Sequence, residues 1–188
     1  MADDLVPAWA APVFRRRLAQ PDTTTCGPTS LVVAHILLDE EYADRATEPE
    51  TFRKEVLALH HRVTSPRDSR GRLQLPWPSM FGTPPWAAAR QMTAITEASY
   101  DQKLARTRRE RAFDRIVSAT ASGRPAPVFV GSKWLPRHVV LALGVVDGSL
   151  RFYEPAHGRL VDVSRADFAN AKLGLAGWDR PWFIVVPD

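Results

Sequence analysis

The hydrophobic rhythm of the chain changes once, near residue 123. Before that point the apolar positions recur at helical spacing. Residues 30–38, SLVVAHILL, are almost wholly apolar and predict a buried helix, with Thr23, Thr24 and Thr25 ahead of it as caps and Pro28 in its first turn. An acidic loop through 39–41 and 48–50 leads to an amphipathic helix over 51–63, and SPRDSRGR at 65–72 reads as an exposed turn-rich connection. Residues 75–86, LPWPSMFGTPPW, carry four prolines and two tryptophans. That is too much proline for regular structure and too much aromatic area to leave in water, so the segment is expected to line a groove or cap the core. Helices are expected over 85–99 and 107–121, the second closed by Ser122-Gly123.

Beyond Gly123 the period falls to that of strands. Residues 126–130, 138–146 and 149–155 are short β-branched and aromatic runs, and Asp147-Gly148 between the last two is a hairpin signal. A strand over 161–163, a short capped helix over 164–171 and a final apolar strand over 182–186 complete the pattern. The implied class is α+β in one domain, residues 1–188, with a helical part at about 20–122 packed on an antiparallel sheet at about 126–188.

Composition narrows the function classes. With 45% hydrophobic and 24% charged residues, the 188-residue chain has the profile of a globular protein. Its 25 basic and 21 acidic residues are interspersed, so the net charge of +4 argues for no nucleic-acid partner. No apolar run is long enough for a membrane span. One cysteine excludes an internal disulfide, and the acidic start MADD with no signal-like core leads us to expect a cytoplasmic protein. The histidines and carboxylates show no metal-ligand spacing, so neither a metal nor a cofactor is expected.

Four residues form a constellation with chemical content. Cys26 falls at the N-terminal end of the first buried helix, where open backbone N–H groups and the helix dipole favour a thiolate over a thiol. Gln20, six residues earlier, can loop back so that its amide joins the Cys26 N–H in holding an oxyanion. His138 opens the most apolar strand, directly after a turn, which suits a general base held at the edge of a cleft. Glu154 ends the next strand, and the Asp147-Gly148 hairpin brings it beside His138, where it is expected to accept the Nδ1–H. His35 is expected to be packed within its helix, His60-His61 to lie on the amphipathic helix, and His157 to occupy a turn.

In this order, Gln20, Thr25-Cys26-Gly27-Pro28-Thr29-Ser30, Gly82-Thr83-Pro84, Gly123-Arg124-Pro125, His138-Val139-Val140 and Glu154-Pro155 with Gly158 resemble the papain-like cysteine peptidases, in particular the bacteriocin-leader (double-glycine) peptidase branch and its stand-alone relatives. The resemblance implies a papain-like fold, with Gln20 as the oxyanion-hole side chain, Cys26 as nucleophile, His138 as base and Glu154 as orienting acid. That branch usually has aspartate before the proline, so Glu154 is a departure, and Asp162 is the reserve for its role. The transporter parts that accompany leader peptidases are absent from this sequence, so bacteriocin maturation is not implied.

The expected activity is cleavage of a peptide or isopeptide bond in a peptide or protein substrate through an acyl-enzyme on Cys26, with Trp77, Phe81, Trp86 and Trp134 contacting the substrate. Two other classes fit the same residues. One is acyl transfer to an amine or thiol, as in transglutaminase- or phytochelatin-synthase-like relatives. The other is a catalytically silent binding module or an exported effector toxin.

Overall fold

The computed structural model describes residues 5–188; residues 1–4, on which the expectation of a cytoplasmic start partly rests, lie outside the described residues. The helices are α1 (Ala11–Arg15), α2 (Cys26–Leu38), α3 (Glu40–Ala46), α4 (Pro49–Thr64), α5 (Pro85–Thr96), α6 (Arg109–Ala121) and α7 (Arg165–Ala169). The strands are β1 (Tyr100–Leu104), β2 (Ala126–Gly131), β3 (Pro136–Val146), β4 (Ser149–Glu154), β5 (Arg159–Ser164) and β6 (Arg180–Pro187). All six form one antiparallel sheet in the order β1-β6-β2-β3-β4-β5. The architecture is α+β. No helix among the described residues is long and apolar enough to cross a membrane.

Side chains alternate across the sheet and divide the core in two. Phe129, Val139, Leu141, Tyr153 and Val185 pack with α2, α4 and α5 on one face, whereas Val128, Val140, Phe152, Ile184 and Val186 pack with α6 and α7 on the other. The helix α2 is apolar all round, and ten of its thirteen residues are buried. Burial on every side accounts for a sequence with no polar stripe.

Three elements depart from the sequence expectation. The acidic stretch after α2 is not a loop but the helix α3, because Asp39 caps it by accepting the Tyr42 N–H at 2.9 Å and Glu40 and Glu41 sit at the positive end of its dipole. The helix expected over 85–99 stops at Thr96, where Glu97 adopts a left-handed conformation (φ 57°). The chain then enters β1, whose composition, YDQKL, hides a strand behind polar residues. Thus one strand of the sheet comes from the otherwise helical first part.

Register decides where the site can form. Near the Asp147-Gly148 turn, Gly144 pairs with Arg151 and Val145 with Leu150; beyond an irregularity between Ala142 and Gly144, Ala142 pairs with Phe152 and Leu141 with Tyr153. Leu143 is thus an extra residue on β3. The shift by one places Glu154 level with Val140, two residues from His138 and on the same face. Without it Glu154 would face the other side of the sheet. Gly144, beside the bulge, leaves room for the Leu5 side chain: a Cβ there would lie 2.4 Å from Leu5 Cδ2.

Candidate active site

Cys26 is the first residue of α2, buried, with its thiol free. Upstream, Asp22 organises the loop: its Oδ1 accepts the N–H and the hydroxyl of Thr24, both at 2.8 Å, and the hydroxyl of the fully buried Thr25 donates to the Asp22 carbonyl at 3.1 Å. Burial works against the Asp22 carboxylate, but the bonds from Thr24 and Thr25 hold its pKa below the ordinary value. In the first turn of α2, Pro28 has no N–H and Thr29 donates to the Thr25 carbonyl at 2.9 Å. The N–H groups of Cys26 and Gly27 are therefore the helix's open donors at this end.

Two contacts set the sulfur against its surroundings. One turn after Cys26, the Ser30 hydroxyl donates to the Val139 carbonyl at 3.2 Å, which ties α2 to β3 immediately beside His138. On the other flank Gly27 abuts Thr83: a Cβ at Gly27 would lie 2.4 Å from Thr83 Oγ1 and 2.5 Å from Thr83 Cβ. Glycine lets the start of α5 close onto the start of α2.

His138, buried at the start of β3, lies between sulfur and carboxylate. Its Nε2 donates to Glu154 Oε1 at 2.9 Å, which leaves Nδ1 free of the carboxylate, and Cys26 lies close enough to the ring to favour its charged form. This reverses the expected arrangement, in which Glu154 was to take the Nδ1–H. The reason is geometric: Glu154 lies diagonally across the β3–β4 pair, a separation that a long side chain spans toward the far edge of the ring. Burial disfavours the imidazolium, yet the hydrogen bonds and charges of Cys26 and Glu154 outweigh it and push the His138 pKa up to about 9.

Glu154 is wholly buried. Its Oε1 also accepts the Ala156 N–H at 2.6 Å, its Oε2 meets His157 Nδ1 at 2.5 Å, and the Arg159 guanidinium stands 3.8 Å away. Burial alone would raise its pKa; the bonds from His138, His157 and Ala156 overcome that and hold it down at about 2.

The other sequence-derived candidates are placed less centrally. Gln20 is tied to the Glu154 end of the site through its own N–H, which donates to the Pro155 carbonyl at 2.8 Å. Its carboxamide Nε2 donates to the Asp22 carbonyl at 2.7 Å, and Oε1 is buried without a partner. Asp162 is held by Arg151 in a two-bond pair, both 2.7 Å, and makes no bond to His138, so Glu154 fills the place for which Asp162 was the reserve. Trp77 packs edge-on against both Phe81 and Trp86, at 6.1 and 5.3 Å between ring centres. Phe81 is 65% exposed and Trp134 71% exposed, whereas Trp77 and Trp86 are half-buried with their indole N–H groups unpartnered. Since Thr83 touches Gly27, this aromatic segment flanks the Cys26 side, and Trp134 lies four residues before His138 on the other.

His35 stacks on Tyr42 at 3.7 Å, and His60 is buried on α4 with its imidazole pushed below its ordinary value by burial. Sequence reasoning left His157 in a turn without a role. Its position three residues after Glu154, between Pro155 and Gly158, was the available signal. Among the described residues no group of three or more His, Cys, Asp and Glu side chains is arranged to hold a metal.

No protein-family model matches the sequence. No curated protein matches it either. Among solved structures, the chain is similar to the peptidase domain of Streptococcus ComA, described as a bi-functional ABC transporter involved in a quorum-sensing pathway. The two are 13% identical over 91% of this chain and 97% of that one, with a TM-score of 0.46. At that level of overlap, the chemistry available to this chain is a matter for its own residues.

Proposed function

We propose that this protein is a papain-like thiol hydrolase that cleaves a peptide or isopeptide bond, with Cys26 as nucleophile, His138 as general base and acid, and Glu154 as the group that orients His138. The observation that carries this reading is the division of the imidazole: Nε2 is committed to a buried carboxylate, and the other nitrogen is left for a cysteine at a helix N-terminus.

Each step then has a group in place. The Cys26 thiolate attacks the carbonyl carbon, forming a C–S bond and moving the π electrons onto oxygen. The Cys26 N–H, with the second N–H of the Gln20 amide, holds that oxyanion. Collapse breaks the C–N bond, and the Nδ1–H of the His138 imidazolium passes to the departing amine. Neutral His138 next takes a proton from water as the hydroxide adds to the thioester, and loss of the carboxylic acid restores the ion pair. Glu154 keeps the ring's orientation through both proton transfers and stabilises its charged form. Phe81 and Trp134, both exposed, present apolar area to a peptide, with Trp77 packed against Phe81 and Trp86 against Trp77 as support.

The test is the rate of Cys26 alkylation by iodoacetamide from about pH 4 to about pH 10, in the wild type and in His138→Ala. Rapid labelling well below pH 8 that the substitution abolishes is the expected result. Labelling that rises only near the ordinary thiol value of about 8.5, and is the same in both proteins, sinks the proposal. A burst of acyl-enzyme that turns over only when an amine or thiol is added would redirect it to acyl transfer.

A further inference from the structure

Glu154 stands where a shorter aspartate would be easier to hold. The extra methylene adds a rotatable bond, and rotation of the carboxylate about its last C–C bond breaks the Oε1 contact to His138. Holding it requires donors on both oxygens. Oε1 receives the Ala156 N–H in addition to His138, and Oε2 receives His157 Nδ1 at 2.5 Å, with the Arg159 guanidinium 3.8 Å away. The His157 ring is 58% exposed, so it closes the solvent side of a carboxylate that is otherwise sealed.

The turn that delivers His157 has little freedom. Gly158 has φ +57°, and a Cβ there would lie 2.4 Å from the Arg17 carbonyl oxygen, so the turn is pressed onto the turn at Arg17 that leads to Gln20. The adjacent Pro155 carbonyl accepts the Gln20 N–H. Residues 155–158 therefore hold their shape from both sides, and His157 comes to Oε2 as part of that shape.

We infer that His157 is a positioning residue, which pins the Glu154 carboxylate so that Oε1 stays aimed at His138 and the site works as a Cys26–His138–Glu154–His157 line. The inference rests on the proposed hydrolase reading for its consequence in catalysis, but not for its geometry. The charged and titratable groups that face Glu154 are His138 from β3, with Cys26 of α2 behind it, and His157 and Arg159 from the following turn and β5. Removing His157 leaves Oε2 to water and to Arg159, and frees the carboxylate to turn.

The experiment is a ¹⁵N-histidine NMR titration of His138, with Cys26 alkylation profiles, in the wild type, His157→Ala and His157→Asn. Asparagine carries its amide nitrogen near the position of Nδ1 and keeps the donor. In His157→Ala the His138 midpoint should fall by about one pH unit and the alkylation rate at neutral pH by about tenfold, and His157→Asn should recover most of both. His138 midpoints that coincide in all three proteins overturn the inference. So does an equal fall in the Ala and Asn variants, which marks a structural role only. The titration needs no turnover: a wild-type His138 that titrates near its ordinary 6.5 sinks the hydrolase reading itself, whereas a wild-type value near 9 left unmoved by His157→Ala sinks only the inference.

Discussion

The two flanks of the site differ in how their polar and apolar groups are spent. Along the line from Cys26 through His138 to Glu154 every side chain is buried, and His138 and Glu154 have partners on each polar atom that faces inward. Along residues 73–86 the reverse holds: Leu73, Leu75, Met80 and Phe81 are 65–73% exposed, and the indole N–H groups of Trp77 and Trp86 have no partner. A fully committed polar network in a low-dielectric setting is rigid and suits bond-making. An exposed, uncommitted apolar wall suits recognition of something that arrives from outside. The difference teaches that damage to the first flank should change rates, and damage to the second should change affinity.

His138→Ala should show the largest effect. In the proposed mechanism it removes both the proton carrier and the partner of the thiolate, and a loss of about 10³-fold or more in peptide hydrolysis is expected, measured as kcat on a peptide-library hit. A fall in affinity with kcat preserved would erase the distinction between the flanks.

Glu154→Gln keeps the size of the side chain but not its charge. A loss of about 10²-fold in kcat is expected, and the pH dependence gives it a signature. His138 is raised from 6.5 to about 9, so its contribution to folded stability is complete below 6.5 and is lost as pH rises through 9. Glu154 is lowered from 4.5 to about 2, so its contribution is present above 4.5 and is lost as pH falls toward 2. Thermal melting should therefore be highest between those limits in the wild type and flatter in Glu154→Gln. Hydrolysis should decline above about pH 9 as the imidazolium disappears, and this limb should move to lower pH in the variant.

Gly27→Ala attacks the joint between the flanks. The new Cβ would meet Thr83 Oγ1 and Cβ at 2.4 and 2.5 Å, so the start of α5 must move away from the start of α2. A cost of about 1–3 kcal/mol in unfolding free energy is expected. Adding Thr83→Gly should recover most of it in a double-mutant cycle, after the intrinsic cost of the second glycine is subtracted. Additive losses would mean that the contact is incidental.

How much of this was legible in the sequence follows the same division. Buried elements with strong periodicity, α2 and β2 to β4, announced themselves because water had only one way to sort their residues. The Asp147-Gly148 hairpin pointed to the pairing of His138 with Glu154, but the shift that puts the two side chains on one face was not legible. That depends on the extra residue at Leu143, which no turn rule encodes. Asp39 as a cap and β1 were hidden by polar composition. His157 was hidden because its role depends on the close approach of Gly158 to Arg17, a contact between residues far apart in sequence.

The smallest effects are expected from the exposed rings, Phe81 on the wall and Trp134 on the β2–β3 connection. Phe81→Ala and Trp134→Ala each remove a large exposed aromatic surface without opening a buried cavity, so folding should change little. If these rings hold a peptide, each truncation should raise KM by about three- to tenfold, the size expected for an aromatic contact at the edge of an interface. Iodoacetamide is too small to use the wall, so Cys26 alkylation should be unchanged in both variants. That pairing is the sharpest form of the comparison. A peptide substrate that loses affinity while a small alkylating reagent does not places recognition on the wall and reactivity on the buried line. If alkylation slows as well, Phe81 or Trp134 helps hold Cys26 and His138 in place, and the two flanks are one mechanical unit.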